Sequence, residues 1–181
     1  MAHEVTKKIC LLGDPSVGKT SLIRRFVLDE FDDSYISTIG TKVTKKELHV
    51  VQPDMNVNVH LTLMIWDVAG QHEYQVFHRM YLKGVEGALL VCDLTRKPTV
   101  SGMMKYVEVV KSIAGNVPVV FLFNKCDLVE KIVVDMNETR RSERYRRIPM
   151  FKTSAKTGEN VENAFRKLSE MMISQWLTGR F

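Results

Sequence analysis

The stretch KKICLLGDPSVGKTSLIRRF, Lys7 to Phe26, decides the fold. An apolar strand ends in glycine, and a helix with apolar residues at helical spacing begins a few residues later. Between them, GDPSVGKT (Gly13 to Thr20) matches the pattern G-x-x-x-x-G-K-[ST] without a mismatch, in the strand–loop–helix setting that the pattern requires. Backbone N–H groups of such a loop converge on phosphate, and the helix N-terminus adds partial positive charge. The stretch therefore predicts a site for the phosphates of a nucleotide.

Individual loop residues have expected roles toward that nucleotide. Lys19 can neutralise the outer phosphates, and the hydroxyl of Thr20 can ligate Mg²⁺. Pro15 has no N–H to donate, so the donors must come from later positions, Ser16 to Ser21. The predicted nucleotide contacts in this part of the chain are Asp14, Ser16, Val17, Gly18, Lys19, Thr20 and Ser21.

The rest of the chain alternates strand-like and helix-like segments. Strand patterns occur at 7–13, 43–51, 57–66, 87–94, 117–123 and 149–155, and helical spacing marks 18–31, 100–115 and 160–176. Such alternation predicts an α/β fold with a mostly parallel sheet of about six strands and about five helices on both faces. The early hairpin adds one antiparallel edge strand. Since no linker or repeat interrupts residues 1–181, we expect a single domain.

Two later motifs indicate which base is bound. NKCD, Asn124 to Asp127, follows a buried strand at its carboxyl end, where open α/β sheets bind ligands. Guanine offers two adjacent donors that the carboxylate of Asp127 can accept together, whereas adenine offers no such pair. TSAK, Thr153 to Lys156, follows the last strand and could supply the N–H of Ala155 to guanine O6. The predicted base contacts are Asn124, Lys125, Asp127, Ser154, Ala155 and Lys156.

Composition and charge limit the possible partners and compartment. The net charge of +5 is mild and does not by itself argue for nucleic acid. Apolar runs are too short to cross a bilayer, and neither end shows a signal core or a lipidation motif, so we expect no membrane anchor. The three cysteines stand at unrelated spacings, which favours a reducing cytoplasm over a disulfide framework.

Five motifs occur in one order across almost the whole chain: GDPSVGKT, STIGT, WDVAGQHE, NKCD and TSAK. With this set, the chain resembles the Ras superfamily of small GTPases, and the Rab-like branch most closely. The resemblance implies the P-loop NTPase fold and a monomeric switch that binds GTP or GDP with Mg²⁺ and hydrolyses GTP slowly. It also implies that effector, exchange-factor and activating proteins bind the switch loops, in signalling or trafficking-type regulation.

The resemblance also assigns roles around the γ-phosphate. Asp67, the first acid after the second apolar strand, would hold the magnesium site through a water, and Thr38 would reach Mg²⁺ only when the γ-phosphate is present. The N–H of Gly70 would contact that phosphate. Gln71 would be the catalytic residue, because an amide both donates and accepts hydrogen bonds and can orient the attacking water. Thr20, Thr38 and Asp67 are thus the implied metal ligands.

Two aromatic residues and two departures complete this comparison. Tyr35 would lie over the phosphates, and Phe31 would pack edge-on against guanine, or else serve only as a core anchor for the helix end. Val68 replaces the threonine usual in Ras and Rab proteins, although the related Arf branch carries valine there. Pro15 stands where many relatives have glycine and where a partner's arginine finger would pass. We therefore expect weakened or redirected assisted hydrolysis, with intrinsic turnover on the order of 10⁻⁴ to 10⁻² s⁻¹.

Several alternatives remain open at the level of sequence. A guanine-nucleotide-binding scaffold that never hydrolyses GTP is one rival, and an ATP-using P-loop kinase or ATPase is another. The long hairpin is either an extended sheet edge, which we favour, or a partner surface. The basic run TRRSERYRRIP, residues 139–149, is expected to be a solvated helix face. A weak electrostatic contact with acidic lipid or an acidic partner is the second option, and nucleic acid the last.

Overall fold

The computed structural model describes residues 2–32, 41–52, 56–68 and 75–179. Within these ranges the strands are β1 (Ala2–Leu12), β2 (Thr41–Gln52), β3 (Val57–Val68), β4 (Gly87–Asp93), β5 (Val119–Asn124) and β6 (Met150–Lys152). The helices are α1 (Lys19–Leu28), α2 (Gln75–Leu82), α3 (Pro98–Ala114), α4 (Met136–Arg141) and α5 (Val161–Thr178). Every predicted strand and helix is present. The largest error in the predicted bounds is at β1, which begins before Lys7, followed by α1, which ends before Phe31, and β6, which ends before Ala155.

The strands form one six-stranded sheet in the order β2-β3-β1-β4-β5-β6. Strand β1 lies between β3 and β4 and is parallel to both, and β4, β5 and β6 continue the parallel pairing. Among the strands of the described ranges, only β2 runs antiparallel, at the edge beside β3. The predicted fold class is therefore confirmed. After β1 the chain adds β3 and β2 on one side of it, and later adds β4, β5 and β6 on the other side. Open α/β sheets form a ligand crevice where the strand order changes direction in this way, which is here the carboxyl end of β1.

Helices cover both faces of the sheet, and the side chains of each central strand alternate between two apolar layers. Ile9 and Leu11 of β1 point into the layer under α1 and α5, whereas Cys10 points into the layer under α3. In the first layer the rings of Phe26 and Phe165 stack with centroids 3.9 Å apart. All residues of β4 are buried, as expected for a strand covered on both faces.

The hairpin of β2 and β3 is paired along its whole length, from Thr41 opposite Val68 to Gln52 opposite Val57. Alternate residues of β3 are buried against the helices, which confirms the period-two pattern of its sequence. At the far end, the Gln52 side chain donates a 2.9 Å hydrogen bond to the backbone oxygen of Glu170 on α5. The hairpin is thus an extended sheet edge that is tied to the body of the protein.

The basic run corrects one expectation. Helix α4 contains only the first two of its arginines, Arg140 and Arg141, and residues 143–147 form turns. All five arginines are exposed, so the run is solvated, but most of it is not a helix face. Arg144 pairs with Glu108 of α3 and lies 5.6 Å from the ring of Tyr145. The chain leaves the helix because the Ser142 backbone is extended and its N–H closes a final turn onto Thr139.

Two further expectations concern membranes and cysteines. In the described part of the chain, no helix has both the length and the apolar character needed to cross a bilayer. All three cysteines carry free thiols, and two of them, Cys10 and Cys92, are buried. Burial raises the pKa of the Cys10 thiol to about 12, so it remains protonated and behaves as a small core residue.

Candidate nucleotide-binding site

The glycine-rich loop lies at the carboxyl end of β1 and leads directly into α1. Gly18 adopts φ 101°, and a Cβ on it would lie 2.3 Å from the amide nitrogen of Asn124. Gly13 is equally confined, because its Cβ would lie 2.3 Å from the backbone oxygen of Val91 in β4. Both glycines are therefore needed for close approach between the loop and neighbouring strand ends.

Lys19 is the charged centre of this loop. Its ammonium group donates to the backbone oxygens of Gly13, at 2.8 Å, and Asp14, at 3.1 Å, and only 7% of the residue is exposed. Burial lowers the pKa of Lys19 to about 8, although the nearby carboxylates of Asp67 and Asp14 oppose the shift. A buried cation surrounded by backbone dipoles gains stability from an incoming anion. The position thus suits phosphate recognition.

A second pair of groups joins the first turn of α1 to the end of β3. Thr20 Oγ1 donates a 2.6 Å hydrogen bond to Asp67 Oδ2. The other carboxylate oxygen, Asp67 Oδ1, is buried and has no hydrogen-bond partner among the described residues. Burial raises the pKa of Asp67, against the Thr20 hydrogen bond and the charge of Lys19. Hydroxyl and carboxylate oxygens are the donors that Mg²⁺ prefers, and an unsatisfied buried oxygen fits such an ion.

The two base-recognition motifs are joined to each other and to the phosphate loop. Asn124 donates to the backbone oxygen of Val17, at 2.9 Å, and accepts from the hydroxyl of Thr153, at 3.2 Å. Ser154 Oγ donates a 2.6 Å hydrogen bond to Asp127 Oδ1, which orients the carboxylate predicted to read the base. Unlike Asp127, Asn124 has both its amide nitrogen and its amide oxygen in hydrogen bonds within the protein. Its place in the site is to hold three loops together.

Lys125 adopts a left-handed backbone with φ 68° and extends its side chain toward β4 rather than outward. Its ammonium group lies 2.7 Å from Asp93 Oδ2. Asp93, the last residue of β4, is fully buried. Burial alone would raise the pKa of Asp93, but hydrogen bonds from Lys125, Thr95 and Arg96 outweigh it and lower that pKa. The ionised carboxylate of Asp93 thus holds Lys125 of the NKCD motif in place.

Helix α1 also supports the last motif. The guanidinium of Arg25 donates to the backbone oxygens of Ala155, at 2.8 Å, and Lys156, at 2.6 Å. Arg25 thereby fixes the backbone of the segment whose N–H at Ala155 is expected to face guanine. Ala155 itself is 4% exposed and belongs to the core layer under α1 and α5.

The predicted site residues fall into three groups. The structure brings together the residues of the phosphate loop, Asp67 and the two base motifs at the carboxyl edge of the parallel strands. Two others make contacts within the protein, and their predicted nucleotide contacts stay predictions. The Asp14 carboxylate lies against α3, where a Cβ on Gly102 would be 2.3 Å from its Oδ1, and Phe31 is partly buried against the core. The remaining residues, Tyr35, Thr38, Gly70 and Gln71, are outside the described residues.

Three residues of the site were missed from sequence: Asp93, Arg96 and Arg25. A signal existed for Asp93, because it is an acid at the end of a continuous apolar run, as Asp67 is. No sequence signal marks the two arginines, since each acts on a loop distant in the chain. Arg25 and Ala155 are separated by 130 positions, and Arg96 and Pro15 by 81.

Comparisons with known proteins agree with this geometry. The sequence model of the Ras family matches residues 8–174 of this chain. Ras-related protein Rab-13 of Rattus norvegicus is 34% identical over 173 residues, which cover 95% of this chain and 82% of the relative. Ras-related protein Rab-1A of Dictyostelium discoideum is 37% identical over 161 residues, 87% of this chain and 76% of the relative. Ras-related protein Rab-10 of Diplobatis ommata is 34% identical over 176 residues, with 96% and 84% covered.

Proposed function

The chain belongs to the Ras family of small GTPases, and from this premise we propose which of its residues perform the family's chemistry. As a Rab-like member it binds GTP and GDP with Mg²⁺, hydrolyses GTP and acts as a molecular switch. The observation that carries the assignment of residues is the buried Lys19 ammonium inside the phosphate loop. That loop is joined through Asn124 to the motif that reads the base.

We propose that the phosphates lie in the loop from Gly13 to Ser21. Lys19 supplies the positive charge there, and backbone N–H groups from Ser16 onward supply hydrogen bonds, aided by the N-terminus of α1. The close approach at Gly13 and Gly18 supports this role, because a side chain at either position would push the loop off the strand ends.

Guanine is proposed to lie between the NKCD and TSAK segments. Asp127 accepts from the two adjacent guanine donors, and the hydrogen bond from Ser154 holds its carboxylate in place. The backbone of Ala155, fixed by Arg25, supplies an N–H to the guanine oxygen. Lys125 is proposed to act with its aliphatic stem along the base, because its ammonium group is anchored on Asp93.

The magnesium ion is proposed to be held by Thr20 and Asp67, which fit it as oxygen donors. When bound, the ion supplies charge stabilisation to the phosphates during transfer. Thr38 is proposed to join this site in the GTP state and Gly70 to contact the γ-phosphate. Loss of that phosphate then releases both segments together, which is the output of the switch.

Hydrolysis is proposed to depend on Gln71, which orients the attacking water through its amide. The Gln71→Leu variant should bind GTP as well as the wild type does but lose at least tenfold in single-turnover hydrolysis. Gln175→Leu, at an exposed position on α5, is the matched control. Wild-type protein that binds GTP without hydrolysing it would instead support the scaffold alternative.

Specificity for guanine is tested by competition. GTP should displace a fluorescent GDP analogue at concentrations at least a thousandfold below those required of ATP, because adenine would leave Asp127 unpaired in the site. Equal competition by ATP would overturn the assignment of the base-reading residues and favour the P-loop kinase or ATPase alternative.

We further propose a single domain over residues 1–181 that works as a cytoplasmic monomer in signalling or trafficking-type regulation. Regulators and effectors bind members of this family, and the switch segments are the proposed contact for effector, exchange-factor and activating proteins. Membrane contact is proposed to be weak and electrostatic, through the exposed arginines of residues 140–147. Pelleting with anionic vesicles that disappears above about 0.3 M salt would support this contact.

A further inference from the structure

Arg96, just beyond β4, reaches back to the phosphate loop. We propose that Arg96 is a positioning residue that holds the peptide unit between Pro15 and Ser16 so that the Ser16 N–H faces the nucleotide phosphates. This inference rests on the proposed nucleotide site, and it adds a residue that the five sequence motifs do not contain.

The guanidinium of Arg96 is held at two places. Its Nε lies 3.0 Å from Asp93 Oδ2, and its Nη2 donates a 2.9 Å hydrogen bond to the backbone oxygen of Pro15. Asp93 is a rigid anchor, because it is fully buried and also accepts from Lys125 and Thr95. The planar guanidinium therefore connects a fixed carboxylate to one particular carbonyl of the loop.

Because the peptide unit is planar, the hydrogen bond from Arg96 to the Pro15 carbonyl also sets the direction of the Ser16 N–H. In a trans peptide unit the carbonyl of one residue and the N–H of the next point in opposite directions. Arg96 holds the Pro15 carbonyl toward β4, so the N–H of Ser16 in the same unit points the other way. Since Pro15 has no N–H of its own, Ser16 provides the first donor after it.

The backbone of Ser16 also needs a stabilising contact from outside the loop. Ser16 adopts φ 64°, a left-handed conformation that residues other than glycine rarely take. The cost of such a conformation is comparable to the net stabilisation from one hydrogen bond to a charged group. The Arg96 contact can thus hold a conformation that the loop sequence alone would not favour.

The contact also links the two halves of the site. Asp93 Oδ2 forms ion pairs with both Lys125, from the base motif, and Arg96, which contacts the phosphate loop. The positive charge of Arg96 reaches the loop as well: burial chiefly lowers the pKa of Lys19, and Arg96 lowers it further. Arg96 therefore increases the positive potential of the phosphate site from its outer side.

The alternative is that Arg96 is only a surface ion pair at the start of α3, since 42% of its side chain is exposed. Such pairs contribute little, and their loss has no directed effect on a distant loop. The Arg96→Ala variant separates the two cases. It should stay folded, because Asp93 keeps the hydrogen bonds from Lys125 and Thr95.

The experiment compares wild type, Arg96→Ala, Arg96→Lys and the control Lys97→Ala in the full chain. Lys97 is the adjacent, exposed cation, and its ammonium group lies 3.9 Å from the carboxylate of Glu138. Two quantities are measured: amide hydrogen exchange at Ser16, resolved by NMR in the GDP complex, and the dissociation rates of fluorescent GDP and GTP analogues.

Arg96→Ala should accelerate exchange at Ser16 and speed dissociation of both nucleotides on the order of tenfold. Arg96→Lys should recover part of both effects, because its ammonium group keeps the positive charge but lacks the planar fork with which the guanidinium spans Asp93 and the Pro15 carbonyl. Lys97→Ala should match the wild type. Exchange in α5, far from the contact, should not change in any variant.

Unchanged exchange at Ser16 in Arg96→Ala would overturn the inference, whatever the dissociation rates. Faster dissociation without a change at Ser16 would likewise assign Arg96 a general electrostatic effect and not a positioning role. Failure of the wild type to bind guanine nucleotide would overturn the proposed function itself. That result is separate, because it appears in the wild-type control before any variant is compared.

Discussion

Thr20 and Asp67 stand 47 positions apart in the chain, yet the hydroxyl of the first donates a 2.6 Å hydrogen bond to the carboxylate of the second. This contact joins the first turn of α1 to the end of β3. It places a hydroxyl and a buried carboxylate side by side next to the Lys19 loop, which is the arrangement that a magnesium-bound nucleotide requires.

Replacement of Asp67 should weaken magnesium binding. In Asp67→Asn the free buried oxygen loses its charge, so the Mg²⁺ concentration needed to slow GDP release should rise about 10- to 100-fold. The measurement is the GDP dissociation rate as a function of free Mg²⁺, with Glu108→Gln on the exposed side of α3 as control. An unchanged Mg²⁺ midpoint would remove Asp67 from the metal site.

Lys19 should make the stability of the nucleotide-free protein depend on pH. Its pKa is about 8 in the folded chain and 10.5 when exposed, so the unfolded state binds more protons between these values. Stability contributed by this group therefore increases as pH rises from about 8 to about 10.5, by up to about 3 kcal/mol. Lys19→Met should abolish that increase.

The check is the difference in unfolding free energy between wild type and Lys19→Met from pH 7 to pH 10.5, without nucleotide. Subtracting the variant removes the contributions of other titrating groups. A difference that stays constant with pH would mean that Lys19 is not held in a desolvated site.

Asp127 should determine the preference for guanine. Asp127→Asn replaces one of the two acceptor oxygens with a donor, which cannot pair with the guanine donors, so GTP affinity should fall on the order of a hundredfold or more. ATP affinity should change little. Competition binding measures both, with the exposed Glu130→Gln as control. An equal loss for the two nucleotides would indicate disrupted folding instead of altered base recognition.

Gly18 should tolerate no side chain. In Gly18→Ala the new Cβ would lie 2.3 Å from Asn124 Nδ2. The alanine would also have to adopt φ 101°, which is unfavourable for a residue with a Cβ. We expect a loss of about 2–4 kcal/mol in unfolding free energy, with nucleotide affinity reduced as the loop moves off β5. Denaturant unfolding measures the first quantity.

The matched control is Gly84→Ala, where φ is 74° but, among the described residues beyond its two chain neighbours, no atom lies within 4 Å of the added Cβ. It reports the strain of a left-handed residue alone, about 1 kcal/mol. If the two variants were equally stable, the contact with Asn124 would not constrain the loop.

The fold could be predicted, and the main site residues could be proposed, because their signals are local. The period of apolar residues separated strands from helices, and the continuous run of β4 indicated a strand buried on both faces. The loop from Gly13 to Thr20 carries its own chemistry in its backbone and in Lys19. Boundaries were less accurate: α1 ends at Leu28, because Asp29 takes a left-handed conformation and caps the helix.

The order of residues along the chain was enough to predict a guanine-nucleotide site at the carboxyl edge of a parallel sheet, because each motif follows its own strand. Which side chains support that site depended on packing between distant segments. Arg96 reaches Pro15, Arg25 reaches Ala155, and the Asn124 amide is used between loops, all through contacts with no trace in local sequence. Such contacts exist only when the sheet order brings the ends of β1, β4, β5 and β6 to one edge.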